Sequence, residues 1–275
     1  MKDISLAAIK EKRKRRRRYV VALATFFAVY FVLLGAEWII LKSPFFRIQT
    51  VTYQGNATVP SSDISALFTG AMLHGKWGWV NALLGSGNML SWPDELASAD
   101  LVFNPVLKSV SVEKDYTGRS LTITTEERTA YGMWCDMDQG SGTTSTPSGC
   151  NWFDKDGVMF KRAIAATGGL ILTVHDYSQH NLGLGSKVLP DEFLANVFSI
   201  FSVLQQGDLN VREIRLNNLA LQEMEVDTYE GPRLYFSLRF PSDNDLAALK
   251  NFTEKPGFAN LQYLDFRVEN RVYYR

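Results

Sequence analysis

The feature that most constrains this chain is an apolar run close to its N-terminus. Tyr19–Leu41 comprises 23 residues and contains a single charged side chain, Glu37. A helix of this length extends about 34 Å, which is enough to cross a hydrocarbon core of about 30 Å. Tyr19 and Trp38 lie near the two ends of the run, where aromatic rings favour the membrane interface. The sequence therefore predicts one transmembrane helix over residues 19–41.

The charges on either side of this run predict its orientation. Residues 1–18 carry nine Lys or Arg and two acidic residues, a net charge of +7. The 29 basic and 29 acidic residues of the whole chain leave 20 and 27 for the remainder, a net charge of −7. Basic residues that flank a span stay in the cytoplasm. We expect a cytoplasmic tail over residues 1–18 and an extracytoplasmic region after the span.

Three other interpretations of the N-terminal segment are open. A cleaved signal peptide has a shorter apolar core and a small-x-small cleavage site. A cluster of arginines can bind nucleic acid, but beside a span it more often fixes topology and attracts anionic lipid. A buried core helix would not have a strongly polar flank on one side only. The pattern favours an uncleaved anchor, with no nucleic-acid partner.

The only two cysteines, Cys135 and Cys150, fall in the extracytoplasmic region. They flank a polar stretch rich in Gly, Ser and Thr that cannot pack by itself. In an oxidising compartment a disulfide closing such a loop is worth about 3 kcal/mol. Two thiols without a nearby histidine are too few ligands for a structural zinc ion. The sequence therefore predicts a Cys135–Cys150 disulfide.

Residues 44–128 alternate between strand and helix patterns in the order strand, helix, helix, strand, strand. The predicted elements are a strand that begins at Phe46 and ends at Gly55–Asn56, a helix starting at Pro60–Asp63, a loop over 69–92, a helix Asp94–Ala99, and strands Leu107–Glu113 and Ser120–Glu126.

Residues 129–275 are rich in strands. Their clearest helix begins at Leu189–Asp191 and ends at Gly207, a second begins at Ser242–Asp245, and the chain ends in one strand that starts near Tyr263. The predicted fold class is α+β: a single N-terminal transmembrane helix, a small domain over 44–128, and a mixed β-sheet domain over 129–275 with helices on one side.

Four patterns that can accompany catalysis or ligand binding are each incomplete. In the first pattern, two adjacent carboxylates on a strand point to opposite faces. The other three patterns lack the spacing of a calcium loop, a histidine ligand pair and a phosphate loop, respectively. The residues are Glu126–Glu127, Asp154–Gly157, the histidines His74, His175 and His180, and Gly183–Lys187. We expect no catalytic, cofactor or metal site, and therefore no enzyme.

Five segments resemble the FtsQ/DivIB family of bacterial division proteins. Phe46–Asn56 is similar to the "V-x-G-N" entry strand of the family. Asn104–Val112 and Leu121–Arg128 resemble its hairpin, "P-x-V-x-x-V-x-V" followed by "L-x-I-x-V-x-E-R". Trp152–Phe160 resembles a "D-x-x-G-x-x-F" hairpin, and Tyr263–Tyr274 a terminal "D-L-R" strand. Departures from the family pattern are Thr129 in place of a proline, the cysteine loop, and the long segment 69–92.

The resemblance implies a non-catalytic division scaffold with a POTRA domain over 44–128 and a β domain over 129–275. Such a protein crosses the bacterial cytoplasmic (inner) membrane once and acts at the division septum. Its implied partners are FtsB/DivIC-like and FtsL-like bitopic proteins and, through them, the septal peptidoglycan synthase. An anchored peptidoglycan hydrolase is the alternative function. A secretion or outer-membrane assembly component would require a β-barrel.

The expected binding mode is β-augmentation, in which a partner strand pairs with an exposed sheet edge. The terminal strand is the candidate edge, and its outward row is predicted to bind partners: Tyr263, Asp265, Arg267, Glu269, Arg271 and Tyr273. The same mixed row could instead protect an edge from aggregation. Substituting Tyr263→Ala, Arg267→Glu and Tyr273→Ala together is expected to change the stability of the fold little.

Overall fold

The computed structural model describes residues 6–75, 78–137, 147–164, 171–178 and 182–275. The fold is mixed α+β, with a long N-terminal helix, a three-stranded sheet and a nine-stranded mixed sheet.

Contacts between residues divide the chain into two compact units. The first comprises the chain up to Gln54, Ser62–Leu96 and Ser111–Thr124; the second comprises Gly55–Ser61, Ala97–Val110 and Thr125–Arg275. The domain boundary predicted after Arg128 stays a prediction.

The first helix, α1, spans Leu6–Leu41, and the described parts of the chain leave its apolar part uncovered. Every described side chain from residue 13 to residue 39 is exposed. Leu23, Phe26 and Phe31, for example, retain 59%, 65% and 66% of their accessible surface. Among the described residues α1 is the one helix long and apolar enough to cross a membrane. The prediction of a long apolar helix is confirmed.

Three strands and three short helices follow, with the strands in the order β1-β3-β2 and β1 parallel to β3. The elements are β1 Thr50–Gln54, α2 Ser61–His74, α3 Gly78–Leu84, α4 Ser98–Leu101, β2 Leu107–Asp115 and β3 Ser120–Glu127. Single-turn 3₁₀ helices occur at Pro44–Phe46 and Met89–Ser91.

Helix α2 buries one face. Ile64, Phe68 and Met72 recur at intervals of four residues and are all buried, as expected for a helix with one apolar stripe. The Phe68 ring lies 5.0 Å from that of Trp92. The predicted helix start at Pro60–Asp63 is confirmed.

Three predictions for this part of the chain are wrong. Residues 69–92 are not a loop, because they contain the end of α2, all of α3 and a 3₁₀ turn. The helix expected at Asp94–Ala99 begins only at Ser98. The strand expected from Phe46 begins at Thr50, because Pro44 and the capping hydroxyl of Ser43 place Phe46 in a 3₁₀ turn.

The remaining elements form the nine-stranded sheet and two helices. They are β4 Gly132–Met137, β5 Pro147–Phe153, β6 Met159–Ala163, β7 Thr173–Asp176, α5 Asp191–Gln206, β8 Val211–Leu216, β9 Glu223–Thr228, β10 Arg233–Ser237, α6 Asp245–Thr253, β11 Tyr263–Val268 and β12 Arg271–Tyr274. The strand order is β12-β11-β10-β9-β8-β7-β4-β5-β6, with β4–β7, β7–β8 and β10–β11 parallel. The two predicted helices are confirmed, whereas the single terminal strand is wrong, since β11 and β12 form a hairpin.

The register of this sheet separates a buried face from an open one. Six directly opposed residues, here called the core row, are buried: Trp134, Val174, Ile214, Val226, Leu234 and Leu264. The neighbouring opposed residues on these strands belong to the opposite face and form the outer row: Cys135, His175, Arg215, Glu225, Tyr235 and Asp265. Cys135 is buried, and the other five are partly exposed. Helices α5 and α6 contribute to the core cluster on the core-row side through residues such as Ile200, Phe201 and Leu249.

The disulfide between Cys135 and Cys150 is confirmed. The two residues are directly opposed on the antiparallel strands β4 and β5, and both are buried. Opposed residues on such strands bring their Cβ atoms close enough for a disulfide. Residues 138–146 of the intervening polar stretch lie outside the described residues.

The disulfide predicts a measurable change in stability. Replacing both cysteines together, Cys135→Ala with Cys150→Ala, should lower the free energy of unfolding by about 3 kcal/mol, because the unfolded chain regains the entropy of an open loop. Denaturant unfolding of the full-length protein in detergent measures the difference. The thiols of the wild-type protein should resist alkylation until reduced. Ready labelling of both thiols in the native, unreduced protein would contradict the prediction.

Candidate partner-binding edge

Strand β12 forms one edge of the nine-stranded sheet. It pairs with β11 in antiparallel register, with Asp265 opposite Tyr273 and Leu264 opposite Tyr274. Tyr273 therefore extends the outer row and Tyr274 extends the core row by one strand. No described strand pairs with the other side of β12.

The backbone of β12 leaves hydrogen-bonding groups available at this edge. The N–H of Arg275 donates to the carbonyl of Tyr263, and the carbonyl of Arg275 accepts from Gln262. Since alternate residues of an antiparallel strand direct both groups to the same side, Tyr273 faces β11 in the same way. The N–H and C=O groups of Val272 and Tyr274 then point away from the sheet, where an added strand would pair.

The opposite edge of the sheet, β6, is covered at its start. The N–H of Met159 donates to the carbonyl of Ser186 at 3.0 Å, and the N–H of Gly185 donates to the carbonyl of Met159 at 2.7 Å. Val158 and Lys187 form an isolated antiparallel bridge beside these bonds. The segment 183–188 thus occupies the β6 edge, whereas no described segment occupies that of β12.

Two neighbouring tyrosines give the β12 edge an aromatic surface on both faces. Tyr273 is 48% exposed and Tyr274 is 60% exposed. Tyr274 packs edge-on against Phe252 of α6, with ring centroids 5.1 Å apart. Tyr274 was not in the predicted row, because one continuous strand would direct its side chain towards the core. The signal that could have identified Tyr274 was an aromatic residue at the next-to-last position of the sequence.

The six predicted residues divide between an interior strand, a turn and the edge. Tyr263, Asp265 and Arg267 lie on β11, which has neighbours on both sides, and each is half-buried. Glu269 lies in the turn that precedes Asn270, whose φ of 59° is left-handed. Arg271 and Tyr273 lie on β12. Their role in partner binding stays a prediction.

Arg267 is the centre of a cluster of charges on the open face. Its guanidinium donates to both carboxylate oxygens of Asp265, at 2.9 and 2.6 Å, and to Glu223 at 2.8 Å. It also stacks over the ring of Tyr235, 4.8 Å from the ring centroid. Burial acts to raise the pKa of Asp265, but the hydrogen bonds and charge of Arg267 outweigh it and hold that pKa below its ordinary value. Arg267 is therefore a structural residue whatever else it binds.

A second cluster neutralises the centre of the same face. Asp227, buried on β9, accepts hydrogen bonds from Arg212, Arg215 and Arg233. Burial acts to raise the pKa of Asp227, but these bonds and charges outweigh it and lower that pKa. Charge-assisted hydrogen bonds of this kind are strong, so Arg212, Arg215 and Arg233 have a structural role around Asp227.

The patterns with potential for catalysis have structural roles where they are described. Glu127 accepts from the backbone amides of Thr58 and Val59, and Asp154 accepts from two amides of its own turn and from Arg128. His175 pairs with Glu213, and Gly183–Lys187 forms the turn beside β6. His180 lies outside the described residues. Among the residues that the structure describes, no three His, Cys, Asp or Glu side chains form a metal-binding group.

A cavity of about 350 Å³ lies beside β4 and β5 in the second unit. Its lining includes the side chains of Tyr131, Trp152, Leu172 and Gln205, and Asp208 is the single charged residue there. The β12 edge is the candidate functional site, because no other described strand pairs with its outer side.

No protein-family model and no curated protein matches the chain.

The charge cluster predicts that Arg267 matters for stability. Arg267→Glu should lower the free energy of unfolding by about 1–3 kcal/mol, because it removes charge-assisted hydrogen bonds and places a third carboxylate beside two others. Arg271→Glu, at an exposed position of the same hairpin, is the matched control and should stay within about 0.5 kcal/mol of wild type. Denaturant unfolding of the full-length protein in detergent measures both.

The same cluster predicts a pH dependence. A carboxylate with a lowered pKa contributes stability above its ordinary pKa of 3.8 and loses it as pH falls through the lower folded-state pKa. The difference in the free energy of unfolding between wild type and Arg267→Glu should therefore be large at pH 7 and should become smaller below pH 3.8. A difference that does not change with pH would contradict the role of the Asp265 carboxylate.

Proposed function

We propose that this chain is a membrane-anchored, non-catalytic scaffold of bacterial cell division, similar to FtsQ/DivIB proteins. It crosses the cytoplasmic membrane once, with residues 1–18 inside and the domains after α1 outside. At the septum it binds FtsB/DivIC-like and FtsL-like bitopic proteins and so helps to recruit or regulate septal peptidoglycan synthesis.

Three features support this role. The apolar surface of α1 is uncovered, and a strongly basic tail precedes it. After α1 the chain forms one strand, three helices and two strands in that order, and the three strands make up the first sheet; this differs by one helix from the strand, helix, helix, strand, strand order expected of a POTRA domain. Strand β12 forms a sheet edge that no described strand covers, and this is the single observation that most favours a binding protein.

The proposed mechanism is addition of a partner strand to β12. The outward N–H and C=O groups of Val272 and Tyr274 would supply the main-chain hydrogen bonds. The core row and the outer row would each gain one residue from the partner, next to Tyr274 and Tyr273 respectively. Aromatic side chains at the centre of such contacts commonly supply much of the binding energy.

The topology can be tested by proteolysis. Protease added to intact spheroplasts should degrade residues 43–275 and spare the basic tail, because that tail is held in the cytoplasm. Immunoblotting against tags at both termini measures the outcome. Protection of the C-terminal tag in intact spheroplasts, with degradation after lysis, would contradict the proposed orientation.

The binding mode can be tested at Tyr274 with two substitutions. Tyr274→Ala removes the ring and keeps the backbone N–H, whereas Tyr274→Pro removes both. Proline is tolerated on an edge strand where its missing N–H faces outward. β-augmentation therefore predicts that Tyr274→Pro weakens capture of the small bitopic division proteins more than Tyr274→Ala does.

The capture uses tagged full-length protein purified from membranes, with co-purified proteins identified and quantified by mass spectrometry. Thermal unfolding of each variant serves as the control for folding. If both variants unfold like wild type and capture the partners equally well, the partner does not pair with β12.

A further inference from the structure

Helix α3, Gly78–Leu84, presents an apolar surface that the described parts of its own unit leave uncovered. None of its residues is buried. Trp79 is 70% exposed and Leu83 is 50% exposed, and residues four positions apart share one helix face. A helix of seven residues is too short to be stable by itself in water. Its exposed apolar face is suited to contact with an apolar environment.

The structure ties α3 to the end of α1. The ammonium group of Lys42, the residue directly after α1, donates a hydrogen bond to the carbonyl of Leu83 at 2.8 Å. The same ammonium lies 5.3 Å from the ring centroid of Trp38. Tryptophan at the end of a membrane helix lies at the level of the lipid headgroups. The Lys42 side chain therefore connects the level of the lipid headgroups to the C-terminal end of α3.

The other end of α3 is fixed to α2, so the exposed face has a defined place. Asn81 donates to the carbonyl of Met72 at 3.1 Å. A side chain at Gly78 would meet the carbonyl oxygen of Leu73 at 2.2 Å, so the backbones of the two helices approach closely. Leu73 is itself 55% exposed and lies beside this contact.

A cationic cleft adjoins α3 at the same level. Its volume is about 290 Å³, and it is lined by Lys42, Arg47, Leu84 and Asn88, together with small residues and Pro44. The lining contains two cations and no acidic residue. Such a cleft beside an apolar helix complements the phosphate of an anionic lipid headgroup.

We propose that α3 lies on the outer surface of the membrane that α1 crosses. Trp79 and Leu83 insert among the lipids, and the cleft formed by Lys42 and Arg47 binds headgroup phosphates. This contact fixes the orientation of the first unit relative to the membrane. The inference rests on the proposed membrane anchoring by α1.

Site-specific fluorescence tests the insertion. The two native cysteines are both in the disulfide, so a thiol introduced by Trp79→Cys or by Leu83→Cys can be labelled alone with an environment-sensitive dye. Ser62→Cys is the matched control, because Ser62 is exposed and lies about 17 Å from Leu73 along α2. Each full-length variant is reconstituted into nanodiscs of phosphatidylcholine and phosphatidylglycerol.

The labels at positions 79 and 83 should show blue-shifted emission, quenching by nitroxide-bearing lipids and protection from aqueous iodide, whereas the label at position 62 should show none of these. Iodide quenching at 79 and 83 equal to that at 62 would overturn the proposal. A blue shift without quenching by lipid would also overturn it, because a protein surface would then cover α3.

The composition of the nanodisc tests the cleft. Quenching by nitroxide lipid at position 83 should be stronger in discs with phosphatidylglycerol than in discs of phosphatidylcholine alone. Arg47→Gln should remove this difference. Equal quenching in both kinds of disc would overturn the assignment of the cleft to anionic headgroups.

Failure of the anchor is distinguishable from failure of the inference. A chain that alkaline carbonate extracts from native membranes is not anchored by α1, which overturns both proposals. A chain that resists extraction but carries a water-exposed label at position 79 overturns only the contact of α3 with the membrane.

Discussion

The register of the nine-stranded sheet is the constraint on which the rest of the second unit depends. Opposed residues place Trp134, Val174 and Ile214 in one row with Val226 and Leu234. A shift of one residue would move a buried side chain to the opposite face, and on β8 and β9 it would bring Arg215 or Glu225 into the core. The disulfide, the charge clusters and the β12 edge all have their positions because this register is fixed.

How much of the fold could be predicted from the sequence depended on whether each segment carries a periodic pattern of apolar residues. Helix α5 was predicted closely, because Phe193, Val197 and Phe201 repeat at helical spacing and are buried. Helix α3 was missed because it buries nothing, so its sequence has no core-facing stripe to detect. The same lack of burial makes α3 the surface proposed to contact the membrane.

The sequence predicted the position of the candidate edge along the chain, but it did not predict that β11 and β12 form a hairpin there. The alternation of Leu264 and Phe266 predicted a strand, and both residues are buried. The turn after Val268 was missed, because a left-handed asparagine such as Asn270 is not distinctive without a following glycine. As a result the predicted row was assigned to the edge, although half of it lies on the interior strand β11. The network of Arg267 could not be predicted, because Glu223 lies 44 residues away in sequence.

The two edge strands of the sheet, β6 and β12, differ in the way expected if only β12 receives a partner strand. An exposed edge invites uncontrolled association, and proteins commonly cover it or place charges on it. At β6 the cover is supplied by the chain itself, through the bonds between Met159 and the segment 183–188. At β12 the described protection is the charge of Arg271 and of Arg275, on either side of two exposed tyrosines. These charges at the two ends of the strand limit non-specific pairing while leaving the groups of Val272 and Tyr274 accessible. A partner strand with an acidic residue opposite Arg271 would satisfy that charge, so the feature that disfavours random association would favour the correct register.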